Sequence, residues 1–186
     1  KYGCWLLEDA CAAIGAYYKG RKVGTFGDMS TFSFYFGHQF STIEGGMVST
    51  DNKELMNMLL MLRSHGWSKD LDRTAHKALV KKYKIDDFHS PFVFYVPGFN
   101  LRSTDLNAQI GMGQIDKLDW IIACRDENHK RYLKHLAGRF YVQKAEPGSV
   151  VCSIHFGMLA NSVDERRKIV SALVRNGIET RIFSAG

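Results

Sequence analysis

Residues 31–50 constrain the fold more than any other part of the chain. Their first third, TFSFYF, alternates phenylalanine with smaller or polar residues, which is the period of a β-strand with two unlike faces. This strand is predicted to end at Gly37, and the glycines of residues 44–46 are predicted to turn the chain into a second strand. Between them lies His38, which can move protons near neutral pH. The alternative is a loop histidine that only satisfies a hydrogen bond.

An acidic pair follows a short apolar run near the start of the chain. Residues 4–7 are apolar and residues 8 and 9 are acidic, a pattern typical of a buried parallel strand. Asp9 would then lie at the carboxyl end of that strand, where open α/β sheets bind ligands. The alternative is that Asp9 caps a helix over residues 10–13.

Helical periodicity recurs along the chain. Apolar residues at helical spacing predict amphipathic helices over about 51–65 and 164–176. A longer helix is predicted over 103–138, and apolar residues on most sides of its first half predict that this half is buried. Residues 68–97 are predicted to be a long, partly helical excursion followed by an extended segment.

The remaining elements are short strands joined by turns. A hairpin is predicted over residues 17–24 with Lys19-Gly20 at its tip. Two further strands are predicted over 140–142 and 150–156, on either side of a turn that contains proline and glycine. Strands and a helix in this order predict a separate small domain at this end of the chain.

Composition excludes several classes of function. The net charge is +6, but the 25 basic residues are scattered and not interleaved with exposed aromatic residues, which argues against nucleic-acid binding. No apolar run has the length of a membrane span. The four cysteines form no C-x-x-C pair, so neither a metal site nor a disulfide framework is expected, and a reducing, cytoplasmic setting is.

Several of these segments resemble one family, the pyridoxal-phosphate-dependent sugar aminotransferases, which are fold-type I enzymes acting on nucleotide-linked keto-sugars. The matching segments are E-D-A at 8–10, G-T-F-G-D at 24–28, F-S-F at 32–34, E-G-G-M-V at 44–48, L-R-S-H-G at 62–66, G-F-N-L-R at 98–102 and G-I-E-T-R at 177–181. The chain departs from the family at Ala12, where glutamine is usual.

The resemblance implies the fold and its domains. It implies an α/β, aspartate-aminotransferase-like structure in a fragment of a longer chain. Residues 1–120 would be part of the cofactor-binding large domain, with a mainly mixed or parallel sheet. Residues 121–138 would form a connecting helix, and residues 139–186 the start of a small α+β domain.

The resemblance also implies roles for individual residues. Asp9 would pair with the protonated pyridine nitrogen of pyridoxal 5'-phosphate, and Ser33 would contact the cofactor phosphate. Asn100 would reach the phosphate bound by the other subunit, which implies a homodimer with shared active sites. Arg181 and His65 would contact the substrate, and no metal site is implied.

His38 stands where the family has its Schiff-base lysine. That exchange marks a branch of sugar 3-dehydratases that use the pyridoxamine 5'-phosphate form of the cofactor. The resemblance therefore implies removal of the C3 hydroxyl from GDP-4-keto-6-deoxymannose, with L-glutamate as amino donor and His38 as acid and base. The alternatives are a sugar aminotransferase with another reactive lysine, a CDP-sugar dehydratase with an iron–sulfur cluster, and a catalytically inactive binding homologue.

Overall fold

The computed structural model describes residues 2–182. They form two compact units, the first made of residues 2–11 and 24–115 and the second of residues 12–23 and 116–182. The domain boundaries expected from the sequence, at 120 and 138, stay a prediction.

The elements are short strands and five helices, in addition to a 3₁₀ turn at Ser90–Phe92. In chain order they are β1 (Leu7–Asp9), β2 (Tyr17–Tyr18), β3 (Arg21–Lys22), β4 (Met29–Ser33), β5 (Gly46–Ser49), α1 (Lys53–Leu62), α2 (Arg73–Tyr83), α3 (Asp105–Ile115), α4 (Leu118–Leu136), β6 (Tyr141–Val142), β7 (Ser149–Val150), β8 (Met158–Leu159) and α5 (Val163–Arg175).

The first unit is built on a three-stranded sheet in the order β1-β4-β5. β1 runs parallel to β4, and β4 runs antiparallel to β5, so the predicted mixed sheet is confirmed. The predicted strand end at Gly37 is wrong, because β4 ends at Ser33. The backbone of Phe34 instead forms hydrogen bonds with two different residues. Its N–H donates to the carbonyl of Gly45 at 2.9 Å, and its carbonyl accepts from the N–H of Thr42 at 2.8 Å.

Two predictions of burial are wrong for the described residues. β1 was expected to be a buried strand, but Leu7 is 56% exposed and Leu6 is 52% exposed. The first half of the long helix was expected to be buried, but Leu106 of α3 is 80% exposed and Met112 is 61% exposed. The physical reason is that a run of apolar residues shows only which side chains could be buried. Burial itself needs a second packed layer, and no element among residues 2–182 covers these side chains.

Local signals located the helices of the first unit well. α1 begins after Asn52, whose side chain accepts hydrogen bonds from the first helical turn at 2.9 and 3.2 Å. The helix was predicted to end near residue 65 and ends at Leu62; Gly66, shortly after it, has φ +90°. A Cβ added there would lie 1.7 Å from the carbonyl oxygen of Val96. α2 and the 3₁₀ turn form the predicted partly helical excursion.

The second unit contains two small sheets and two helices. The predicted hairpin is confirmed as β2 and β3, with Lys19 and Gly20 both at positive φ, the geometry of a tight two-residue hairpin turn. β7 pairs with β2, and β6 pairs with β8. The predicted α5 is confirmed within one residue at each end.

Two further predictions fail. The strand expected over 150–156 is limited to β7, because side chains of α4 take the hydrogen bonds that a strand neighbour would use: Arg125 donates to the carbonyl of Ser153 at 2.8 Å, and Asp126 accepts from the N–H of Val151 at 2.9 Å. The single helix expected over 103–138 is two helices, α3 and α4. Residues 116 and 117 form a turn between them, and Lys117 precedes α4 with φ −96° and ψ −7° and no side-chain cap hydrogen bond.

Two kinds of feature are absent from the described residues. No group of three histidine, cysteine or acidic residues within 2–182 could hold a metal ion. None of the helices in this part of the chain combines the length and the apolar character that crossing a membrane requires.

Candidate active site

Asp9 is the last residue of β1, at the carboxyl end of a strand that runs parallel to β4. It does not cap a helix, since residues 10–13 are not helical. Its Oδ1 accepts a hydrogen bond from the backbone N–H of Cys11 at 3.1 Å. Hydrogen bonds from the thiol and the backbone of Cys11 hold the pKa of Asp9 below its usual value. An ionised carboxylate at this position fits a protonated ring nitrogen.

Ser33 is the last residue of β4 and is half-buried. Asp9 pairs in register with Thr31, and Ser33 lies two residues further along the same strand. Side chains alternate between faces along a strand, so Asp9, Thr31 and Ser33 project from one face of the sheet. Strand rise and spacing place the Cα atoms of Asp9 and Ser33 about 8 Å apart. A ring that carries a phosphate arm can extend across such a separation.

His38 lies in the loop that follows β4. Its backbone N–H donates to the carbonyl of Tyr35 at 3.0 Å, and its ring meets the Tyr35 ring edge-on, with 5.9 Å between centroids. The Nδ1 atom of His38 is buried and has no hydrogen-bond partner within residues 2–182. Because buried polar atoms are nearly always paired, this nitrogen is suited to a group supplied by a bound molecule. The interpretation of His38 as a histidine that only satisfies a hydrogen bond does not account for Nδ1.

His65 and Asn100 are neighbours in the structure. Ser64 forms an isolated bridge with Asn100, and the N–H of His65 donates to the carbonyl of Phe99 at 2.7 Å. His65 is exposed with φ +62°, and Asn100 accepts a hydrogen bond from Arg102 at 3.2 Å. Among the described residues no hydrogen bond or ion pair joins either side chain to Asp9, Ser33 or His38. Their roles stay predictions.

Arg181 belongs to the second unit and lies six residues after α5. Its side chain is exposed. Its predicted contact with substrate is not tested by any contact in the structure.

Glu8 is a residue that the motif analysis did not single out. Its carboxylate accepts backbone hydrogen bonds from Gly24 at 2.8 Å, from Gly27 at 2.6 Å and from Phe26. These bonds fasten the glycine turn before β4 to β1, so that both strands of the site are held together. The sequence feature that could have identified Glu8 is its position next to Asp9. Neighbouring strand residues point to opposite faces, so an acid at position 8 lies on the face away from Asp9.

Asn107 and Gln114 were also missed. They lie seven residues apart on α3, and their side-chain amides hydrogen-bond to the backbone between residues 41 and 44. Seven residues are close to two helical turns, so both side chains share one face of the helix. Two amides on the same face of one helix were the signal that could have found them.

The fold and the site define a class of protein: an α/β enzyme of the aspartate-aminotransferase type, with a carboxylate and a hydroxyl on one face of the sheet and a histidine in the loop that follows β4. The chain belongs to the DegT/DnrJ/EryC1/StrS aminotransferase family, whose model matches residues 1–185.

Particular members of the family are similar over nearly the whole chain. GDP-4-keto-6-deoxy-D-mannose 3-dehydratase of Yersinia pseudotuberculosis is 33% identical over 184 residues, a match that covers 98% of this chain and 46% of that protein. The enzyme of the same name from Escherichia coli O55:H7 is 35% identical over 184 residues, covering 97% and 47%. The chain therefore spans about half the length of the curated relatives it matches.

A solved structure agrees with these matches. The crystal structure of GDP-4-keto-6-deoxymannose-3-dehydratase with a trapped PLP-glutamate geminal diamine has a TM-score of 0.76 to this chain. The two are 30% identical, and the match covers 97% of this chain and 47% of that one.

Proposed function

We propose that the protein to which this chain belongs is a pyridoxal-phosphate-dependent and glutamate-dependent 3-dehydratase of GDP-4-keto-6-deoxy-D-mannose. The observation that carries the proposal is His38, whose buried Nδ1 has no partner within residues 2–182, in the loop after the strand that bears Ser33. The similarity to the two dehydratases supports the choice of sugar and nucleotide. The product would be a 3,6-dideoxysugar precursor, as in colitose biosynthesis for O-antigen in lipopolysaccharide.

The residues on the ligand face fit the proposed cofactor. Asp9, ionised through its hydrogen bonds with Cys11, would hold the ring nitrogen protonated and so favour uptake of electrons by the ring. The Ser33 hydroxyl would donate to the phosphate. Asn100 would complete the phosphate site of a second subunit in a homodimer. All three contacts are noncovalent, which agrees with the absence of a lysine at position 38.

In its pyridoxamine form the cofactor would supply an amine that condenses with the C4 ketone and a ring that accepts electrons. His38 would take a proton from the cofactor carbon that bears the amine. Electrons would then move toward C3 of the sugar, and the C3 hydroxyl would leave. The same imidazole can return the proton to the departing hydroxyl, since histidine acts as acid or base near neutral pH. His38 cannot bond covalently to the aldehyde form, and this disfavours the return to an amino sugar.

Two residues would contact the substrates. Arg181 would bind a diphosphate or the carboxylate of glutamate, because a guanidinium donates two parallel hydrogen bonds to such groups. His65 would approach the sugar from the turn after α1. The relative solved with a PLP-glutamate adduct supports glutamate as the amino donor. We further propose a cytoplasmic enzyme that binds neither membrane nor nucleic acid.

Product analysis tests the proposal. The intact protein is incubated with GDP-4-keto-6-deoxymannose, L-glutamate and pyridoxal phosphate, and the sugar is identified by mass spectrometry and NMR. The expected product is a 3-deoxy-4-keto sugar, with release of ammonia. A 4-amino sugar would instead identify an aminotransferase, for which borohydride reduction would also trap a lysine adduct.

Two controls separate the remaining alternatives. Turnover of the CDP-linked analogue in preference to the GDP-linked sugar, together with protein-bound iron, would identify an iron–sulfur dehydratase. Absence of any cofactor spectrum after incubation with pyridoxal phosphate would identify a binding homologue without catalysis.

A further inference from the structure

The segment that carries His38, residues 38–44, is called the histidine loop below. The His38 ring contacts Tyr35, and its Nδ1 has no hydrogen-bond partner within residues 2–182. A side chain held in this way takes its position from the backbone that carries it. The groups that fix the histidine loop therefore determine where the imidazole lies.

Gln114 of α3 holds the middle of the histidine loop. Its Oε1 accepts the backbone N–H of Ser41 at 3.2 Å, and its Nε2 donates to the carbonyl of the same residue. A primary amide offers both a donor and an acceptor, as a peptide group does. The backbone N–H and carbonyl of Ser41 are therefore both paired with one side chain 73 positions away. Two parallel hydrogen bonds fix orientation as well as distance.

Asn107 holds the end of the histidine loop from the same helix face. Its Nδ2 donates to the carbonyl of Thr42 at 2.7 Å and lies 3.4 Å from the carbonyl of Glu44. Its Oδ1 accepts the hydroxyl of Thr104. That bond turns the amide so that its donor, and not its acceptor, faces the loop.

Gly111 lies between these two amides on the same face of α3. It is buried, and a Cβ added there would lie 3.0 Å from Cγ2 of Thr42 and 3.1 Å from the ring of Phe40. Phe40 in turn packs edge-on against Phe34, with 5.3 Å between centroids. The close approach of α3 is thus part of the same contact, and the histidine loop is fixed from both the helix and the sheet.

We propose that Gln114 and Asn107 are positioning residues for His38. The proposal rests on the proposed function only in taking His38 as the proton-moving group. An active-site lysine bonded to its cofactor is held at both ends, whereas an imidazole without such a bond depends on its own loop. The two amides of α3 supply such a restraint on the loop, although neither touches the reacting atoms.

Hydrogen exchange gives a direct test that does not depend on activity. In the intact protein, Gln114→Leu removes both hydrogen bonds at similar side-chain volume. We expect the Ser41 amide to exchange about tenfold faster or more, while amides of β4 and α1 keep their protection. Gln109→Leu, on an exposed position of the same helix, is the matched control and should leave Ser41 unchanged. Unchanged exchange at Ser41 in Gln114→Leu would overturn the proposal.

Kinetics then test whether the amides act through His38. The half-reaction with glutamate is followed by cofactor absorbance in single turnovers. Gln114→Leu should lower its rate about 10-fold to 100-fold, with the dissociation constant for pyridoxal phosphate unchanged. Asn107→Asp keeps the acceptor for Thr104, removes the donor to Thr42, and should lower the rate in the same direction.

A double variant provides the decisive comparison. If Gln114 acts through His38, Gln114→Leu should cause no further loss in a His38→Asn background, measured over long incubations. A full additional loss would mean that Gln114 acts on the fold in general, and would refute the positioning role. These tests measure hydrogen exchange and the glutamate half-reaction, and neither needs the sugar substrate. If the wild type released no 3-deoxy sugar, that result would refute the proposed function and leave the positioning role untouched.

Discussion

The carboxylate of Glu8 accepts the backbone N–H of Gly24 at 2.8 Å, and this bond ties the glycine turn before β4 to the strand that carries Asp9. The same carboxylate accepts the N–H groups of Phe26 and Gly27. One side chain thus accepts hydrogen bonds from three backbone donors of the same turn.

Replacing Glu8 with alanine should destabilise the first unit. A buried donor that loses its partner costs about 1–3 kcal/mol, and partial access of water to this turn reduces the sum, so we expect a loss of about 2 kcal/mol in the free energy of unfolding. Urea unfolding checks it. Glu179→Ala, on an exposed position, should change stability by less than about 0.5 kcal/mol. Equal effects of the two variants would contradict the role given to Glu8.

Replacing His38 with asparagine should abolish dehydration. The loss of a general acid and base costs about 10²-fold to 10⁴-fold in rate, whereas the cofactor contacts through Asp9 and Ser33 remain. We therefore expect kcat to fall by that factor and the dissociation constant for pyridoxal phosphate to change little. His135→Asn, at an exposed position of α4, is the control. Retention of full activity in His38→Asn would refute the catalytic role.

Replacing Asp9 with asparagine should weaken cofactor binding. A hydrogen bond to a charged group contributes about 1.5–3 kcal/mol, which corresponds to a rise of roughly 10-fold to 100-fold in the dissociation constant for pyridoxal phosphate. Titration followed by cofactor absorbance measures it. Asp51→Asn makes the same chemical change at an exposed position and should bind normally. Unchanged affinity in Asp9→Asn would exclude a contact between Asp9 and the ring nitrogen.

Asp126 should make the stability of the second unit depend on pH. Burial opposes its ionisation, but hydrogen bonds from Lys130 and from the N–H of Val151 outweigh burial and hold the pKa of Asp126 below its ordinary value of 3.8. A carboxyl group with a depressed pKa stabilises the folded state above the unfolded pKa. That stabilisation is lost as the pH falls through the folded pKa.

Asp126→Asn should therefore lower the free energy of unfolding at pH 7 by about 1–3 kcal/mol. The difference in the free energy of unfolding between variant and wild type should stay constant down to about pH 5 and shrink below about pH 4. Urea unfolding at several pH values measures this difference. Glu127→Gln breaks an exposed ion pair with Arg131 and should cost only a few tenths of a kcal/mol. A difference that widens toward acid pH would contradict this assignment.

Patterns within a few residues of one another determined much of this protein. Lys19-Gly20 predicts a hairpin because both positions need positive φ, and the structure has it there. The stripe of α5 and its end at Gly177 follow from helical spacing and from glycine's access to a left-handed conformation. An acid after an apolar run correctly predicted Asp9 at the carboxyl end of a parallel strand.

The tertiary structure decided what depends on contacts between distant residues. Arg125 and Asp126 take the backbone hydrogen bonds that would have extended β7. Gln114 pairs with Ser41 across 73 positions, and Glu8 binds a turn that begins 16 residues later. The partners of Gln114 and Glu8 lie outside their own segments, so these contacts form only when folding brings a distant backbone to the side chain. Such contacts determine where His38 is held, whereas the sequence alone shows that a histidine is present.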